Sequence, residues 1–201
     1  MARLSILLFY SLFSISVYGQ DMSYSVGVVT ISDDFDNSDH LIEFLNEDGS
    51  IWHSIHLFDE WVIINDFEII AFKPDYSIFK IKCQEKDLGY FRVVVNEETG
   101  MTKRLLVSPK LKLQTWEEYV LDVFAIEFDV SEIPMLDKIQ GSPKSELPTI
   151  NHLIVPKEIK GEWMRVIWTD PEYPQKNIMK NSGWIKWKSG NKILVKIYHL
   201  S

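Results

Sequence analysis

Four side chains in the last third of the chain combine aromatic and cationic character at alternating positions. Trp163 and Arg165 stand in Trp163-Met-Arg-Val-Ile-Trp168, and Trp184 and Lys186 in Ser182-Gly-Trp-Ile-Lys-Trp187. Along a strand successive side chains point to opposite faces. Met164, Val166 and Trp168 then share one side, Trp163, Arg165 and Ile167 the other; in the next segment Ile185 and Trp187 oppose Trp184, Lys186 and Lys188. If the more apolar sides form the core, Trp163, Arg165, Trp184 and Lys186 lie together outside it. Indole faces flanked by cations suit peptide, glycan or anionic ligands, through stacking and charge-assisted hydrogen bonds. The competing reading is that the two indoles seal a barrel edge and the cations are ordinary solvated positions.

Other chemistry-bearing residues carry less. Asp33-Asp-Phe-Asp-Asn-Ser-Asp39 resembles a calcium loop, but a loop starting at Asp34 needs Gly at 39 and Glu at 45, where Asp39 and Leu45 stand. His53 and His56 are three apart, on opposite faces of a strand, so they do not converge on one metal. His40, His152 and His199 are isolated. Cys83 lies in the apolar-alternating run Ile78-Phe-Lys-Ile-Lys-Cys83 and reads as a buried thiol; as the one cysteine it has no intrachain partner. Glu117, Glu118 and Asp122 share a short helical segment, whereas paired-carboxylate hydrolysis needs acids facing each other across a cleft. No Ser or Cys sits in a recognisable nucleophile turn and no Gly-rich phosphate loop is present. Neither a cofactor nor a metal is expected.

Charge is distributed unevenly. Gln20 to Phe72 has no Lys or Arg but twelve acids, and residues 20–150 carry 11 basic and 25 acidic groups. Residues 151–201 reverse this, with 9 basic and 4 acidic. That balance argues against nucleic-acid binding by the whole protein. The chain opens with one cation and an apolar run through Val17, followed by Tyr18-Gly19, which predicts a signal peptide over residues 1–19 cleaved before Gln20. The run is too short and Ser-broken for a permanent span, so a secreted or periplasmic protein without a stable membrane span is expected. Export without disulfides suits a bacterial envelope protein.

The elements that must position these residues are mainly strands. Expected strands cover Ser25–Ile31, Leu41–Leu45, Ile51–Leu57, Trp61–Ile64, Glu68–Phe72, Ser77–Cys83, Tyr90–Val95 and Thr102–Val107, with hairpin signals at Asp48-Gly49 and Asn96–Gly100. Thr115-Trp-Glu-Glu118 is a capping box opening a helix to about Phe124, with Trp116, Tyr119, Val120, Val123 and Phe124 on one face. Ser131–Asn151, with three prolines, is either a linker or a long loop of the C-terminal barrel. The final strands are expected at His152–Val155, Glu162–Trp168, Ile178–Lys188 and Lys192–His199, with Thr169–Gln175 as a loop. Tyr90-Phe-Arg-Val93 and Trp163-Met-Arg-Val166 share aromatic-x-Arg-Val, a hint of internal duplication.

Gly161-Glu-Trp-Met-Arg-Val166 and Ser182-Gly-Trp-Ile185 resemble two strand motifs of the bacterial SH3-like family. The opening motif has only a loose counterpart in Ile133–Lys138 and Ser142-Pro143, which lack its arginine. The resemblance covers about residues 130–201. It implies an exported β-barrel that recognises peptide or cell-wall material, often beside a Cys/His peptidase. Gln84 follows Cys83 here, so the upstream half is not that peptidase. The chain also resembles uncharacterised exported bacterial proteins in Asn96–Gly100, Thr115–Glu118 and Gly183–Trp187.

The expected protein is thus mainly β, with two small barrel or meander domains over 20–128 and 129–201 and one short helix. Its expected role is non-catalytic: a binding module taking a peptide, an envelope polymer or an exported protein partner through Trp163, Arg165, Trp184 and Lys186. The alternatives are an envelope hydrolase using N-terminal carboxylates, and a structural or inhibitory partner of another exported protein.

Overall fold

The computed structural model describes residues 21–32, 41–56, 67–73, 76, 78–169 and 181–199. The expected leader, the Asp33–Asp39 loop, His40, the Trp61–Ile64 strand and the loop from Asp170 to Gln175 lie outside the described residues. The described residues divide into two compact units, one within 22–119 and the other within 120–199 together with Asp21. The fold is mainly β, with a single short helix among the described residues.

In the first unit the strands are β1 (Gly27–Ile31), β2 (Leu41–Leu45), β3 (Ile51–His56), β4 (Ala71–Lys73), β5 (Ile78–Lys86), β6 (Tyr90–Asn96), β7 (Met101–Leu106) and β8 (Leu111–Gln114). They form one antiparallel sheet in the order β3-β2-β7-β6-β5-β1-β8, with β4 pairing β5. Alternation acts here as the sequence implied: Phe79, Ile81 and Cys83 on β5 and Phe91, Val93 and Val95 on β6 point into one buried cluster. The sheet is strongly curled. Phe44 on β2 and Phe79 on β5 are three inter-strand steps apart, roughly 14 Å across a flat sheet, yet their ring centroids lie 6.4 Å apart. Burial pushes the Cys83 thiol up to about 11, as a structural cysteine requires.

The helix, α1 (Trp116–Leu121), is shorter than expected, ending three residues before Phe124. Its capping box forms as expected: the Glu118 amide donates to Thr115 Oγ1 at 3.2 Å, and the Thr115 amide donates to Glu118 Oε2 at 2.7 Å. No basic residue stands in its last turn to favour extension. Trp116 anchors the helix by donating its indole N–H to Ser25 Oγ at 3.0 Å.

The second unit contains β9 (Ala125–Glu127), β10 (Leu153–Lys160), β11 (Trp163–Thr169), β12 (Ser182–Lys186), the hairpin β13 (Lys188–Ser189) and β14 (Lys192–Ile193), and β15 (Lys196–Tyr198). Its five-stranded sheet has the order β12-β11-β10-β9-β15. The units part between Tyr119 and Val120, ahead of the expected 128/129 boundary, because β9 pairs both β10 and β15. Residues 131–151 are a built loop of this unit. Ile133, Met135 and Leu136 are buried, Leu136 forms backbone hydrogen bonds with Trp184 in both directions, and the Lys144 amide donates to the Met135 carbonyl. Gly183 admits this loop: a Cβ there would lie 2.4 Å from Met135 Cγ.

Both sheets contain one common order. In the first unit it is β8-β1-β5-β6-β7, in the second β15-β9-β10-β11-β12, and in each the last strand returns to pair with the first. In each, a segment from the connection after that first strand pairs with the fourth: β2 with β7 through Leu45 and Arg104, and Leu136 with Trp184.

Candidate functional site

Gly161, with φ +59° at the first central position of the β10–β11 turn, permits a tight type II′-like reversal. That turn fixes the register Lys160↔Trp163, Ile159↔Met164 and Glu158↔Arg165. On the other side β11 pairs β12 as Trp163↔Lys186, Met164↔Ile185 and Arg165↔Trp184. Directly opposed residues share a face. Trp163, Arg165, Trp184 and Lys186 therefore do lie on one face, and Met164, Val166 and Ile185 are fully buried on the other.

The face is three strands wide, two cross-strand rows deep, and more tightly knit than the sequence suggested. One row runs Glu158, Arg165, Trp184; the next runs Lys160, Trp163, Lys186. Trp184 is only 9% exposed, because Lys160 lies over its ring at 5.2 Å from the centroid. Trp163, Arg165 and Lys186 are half-buried. Arg165 Nε donates to Glu158 Oε2 at 2.9 Å, and Lys160 Nζ stands 2.8 Å from Glu158 Oε1. Lys186 Nζ stands 3.0 Å from Glu162 Oε2, whose other oxygen accepts from the Gly190 amide at 2.8 Å. Lys160 foremost, then Arg165, holds the Glu158 carboxyl below its ordinary range; the Gly190 amide and then Lys186 do so for Glu162. Each cation thus already has a carboxylate, and one indole is roofed by a lysine stem.

Glu158, Lys160 and Glu162 are the members that sequence reasoning missed. The signal was there: a two-residue turn at Gly161-Glu162 places residue 160 opposite 163 and 158 opposite 165. The remaining candidates stay apart. His53 pairs with Phe44 on the buried face, its ring 6.0 Å from that of Trp52, while His56 is exposed opposite Leu41. No group of three His, Cys, Asp or Glu side chains arranged to hold a metal occurs among the described residues. Glu118 is committed to its capping box. Among the described residues no helix is long and apolar enough to cross a membrane.

No protein-family model matches the chain, and neither the curated proteins nor the solved structures contain a significant match. The functional reading therefore stands on the chain's own geometry.

Proposed function

We propose that the protein is a non-catalytic, exported binding module, secreted or periplasmic, whose second unit is an SH3-like barrel. That unit recognises a peptide, an envelope polymer or an exported protein partner through Trp163, Arg165, Trp184 and Lys186, with Lys160 as a fifth contact. The observation that carries the reading is the cross-strand register, which stacks two aromatic–cation pairs in consecutive rows of one sheet face. The return of β15 to β9 and the long loop between β9 and β10 support the small-barrel reading. A ligand anionic at the points it touches is supported by Arg165 and Lys186, which already pair with the carboxylates of Glu158 and Glu162 at hydrogen-bonding distance.

The test is capture from bacterial envelope extract by the protein, beside Trp163→Ala/Trp184→Ala and Arg165→Gln/Lys186→Gln variants. Trp184 is buried, so the charge variant guards against loss by misfolding, with circular dichroism confirming both folds. Capture lost in both variants supports the face. Equal capture by the wild type and the folded charge variant refutes it.

A further inference from the structure

The common strand order extends to residue-level register. In the second unit Glu158 pairs with Arg165 just after a bulge between Pro156 and Glu158. In the first unit Glu85 pairs with Arg92 just after a bulge between Cys83 and Glu85. Both Glu–Arg pairs are seven residues apart across a hairpin. On this equivalence Tyr90 stands where Trp163 stands, Arg92 where Arg165 stands, and Arg104, opposite Arg92, where Trp184 stands.

The first-unit face has a chemistry of its own. Arg92 and Arg104 are directly opposed like charges, a destabilising placement unless an anion joins them. Glu47, from the β2–β3 turn, joins them: one carboxylate oxygen meets Arg92 Nη1, the other Arg104 Nη2. Both guanidinium groups stack on the Tyr90 ring, at 6.0 and 4.7 Å from its centroid. The Arg104 Nε–H is shut from solvent without an acceptor among the described residues. Around this receptor the sheet exposes apolar side chains: Leu106 opposite Tyr90, Ile51 beyond Leu45, and Leu88 in the adjoining turn.

We propose that Tyr90, Arg92 and Arg104 form a second recognition site, closed by Glu47 as a built-in stand-in, which takes an acidic peptide segment carrying apolar side chains beside its carboxylates. Two guanidinium groups converging on one carboxylate are a fork suited to Asp or Glu. The flanking Leu106 and Ile51 favour a peptide with apolar residues over a uniformly polar polyuronate. Glu47 is half-exposed and stands on a turn outside the strands, so an incoming carboxylate that takes over its two arginine contacts replaces it without rearranging the sheet. The proposal rests on these side chains and holds whether or not the second-unit face binds anything.

The experiment is fluorescence anisotropy with a labelled peptide of alternating Glu and Leu, on the wild type, Glu47→Gln, Glu47→Gln/Arg104→Lys and Glu47→Gln/Trp163→Ala/Trp184→Ala. Removing an internal competitor that leaves the face open about a fifth of the time tightens binding about fivefold. That gain is expected in Glu47→Gln and lost in Glu47→Gln/Arg104→Lys, which keeps the charge but not the fork. It should persist in the triple variant, which separates this site from the second-unit face. No gain in Glu47→Gln, or a gain that vanishes in the triple variant while Arg104→Lys leaves it intact, overturns the proposal. Displacement of the peptide by alginate at equal uronate concentration assigns the site to acidic polysaccharide and overturns the peptide reading.

Discussion

Replacing Gly183 by Ala puts a methyl group 2.4 Å from Met135 Cγ and 2.6 Å from its Sδ, but 3.3 Å from the Leu136 carbonyl. The backbone at Gly183 lies outside the positive-φ region, so the cost is one of space and not of conformation. Overpacking of this kind costs about 1–3 kcal/mol. Truncating Met135, which is 1% exposed, to Ala opens a cavity and costs about 2–5 kcal/mol. In the double variant both Met135 atoms are gone and only the tight 3.3 Å contact with the Leu136 carbonyl remains, which the backbone relieves by shifting a few tenths of an ångström. The two costs therefore fail to add, with a favourable coupling of about 1–2 kcal/mol, within the range found for residues in contact. Urea denaturation followed by tryptophan fluorescence measures all four corners of the cycle. Strict additivity, or a Met135→Ala cost below about 1 kcal/mol, would falsify the placement of the 131–151 loop on β12. The loop's hold on Trp184 and the candidate face would then have to be abandoned with it.

Thr115→Ala removes the helix cap and should lower stability by about 1 kcal/mol, read from the same denaturation curves, with Thr115→Ser close to wild type. The Cys83 thiol, raised by burial to about 11, binds its proton more tightly folded than unfolded. Its contribution is complete below the unfolded value near 9 and is lost as pH rises towards 11, at up to about 1.4 kcal/mol per pH unit. The difference in stability between wild type and Cys83→Ala should therefore shrink over that window; a difference constant in pH would refute the burial argument. Glu158→Gln frees Lys160 and Arg165 together. It should strengthen salt-sensitive binding of a polyanion to the second-unit face while leaving the denaturation midpoint unchanged, since exposed ion pairs contribute little to stability.

Strands whose burial alternates along five or more residues were readable from the sequence: β2 and β11 fall within a residue of expectation, as does β6, whose run of Phe91, Val93, Val94 and Val95 is apolar as well as alternating at its start. What escaped was short or relational. β8 and β9 have four and three residues, too few for period-two alternation to register, and β9 comes directly after the apolar pattern of the helix. Residues 131–151 read as either a linker or a barrel loop because their buried run, Ile133-Pro-Met-Leu136, is short, broken by Pro134 and flanked by charges; the strand it pairs with lies far along the chain. The four candidate site residues were placed on one face because alternation fixes the side of a strand. Lys160 over Trp184 depends on register as well as side, and that register is set by the turn at Gly161-Glu162, which periodicity alone does not report.

The bulge explains why a proline can sit inside β10. Pro156 has no amide hydrogen to give to the ladder, and proline in a sheet interior is confined to bulges and similar breaks. The first-unit hairpin bulges at the same place, after Cys83, with no proline there. The bulge is therefore a property of this hairpin, and Pro156 is accommodated by it. In both hairpins the extra residue, Gln84 or Lys157, is left without a partner in the register, and the next residue, a glutamate, is set opposite the arginine. Counted back from the turn, the hairpin alone sets the glutamate opposite the arginine, and the bulge shifts only the part of the strand beyond it, bringing Pro156 opposite Val166 and Cys83 opposite Val93. An unbulged strand would turn Pro156 and Cys83 to the outer face, so the break in each sheet is what keeps these two residues on the buried side behind an outward-facing Glu–Arg pair.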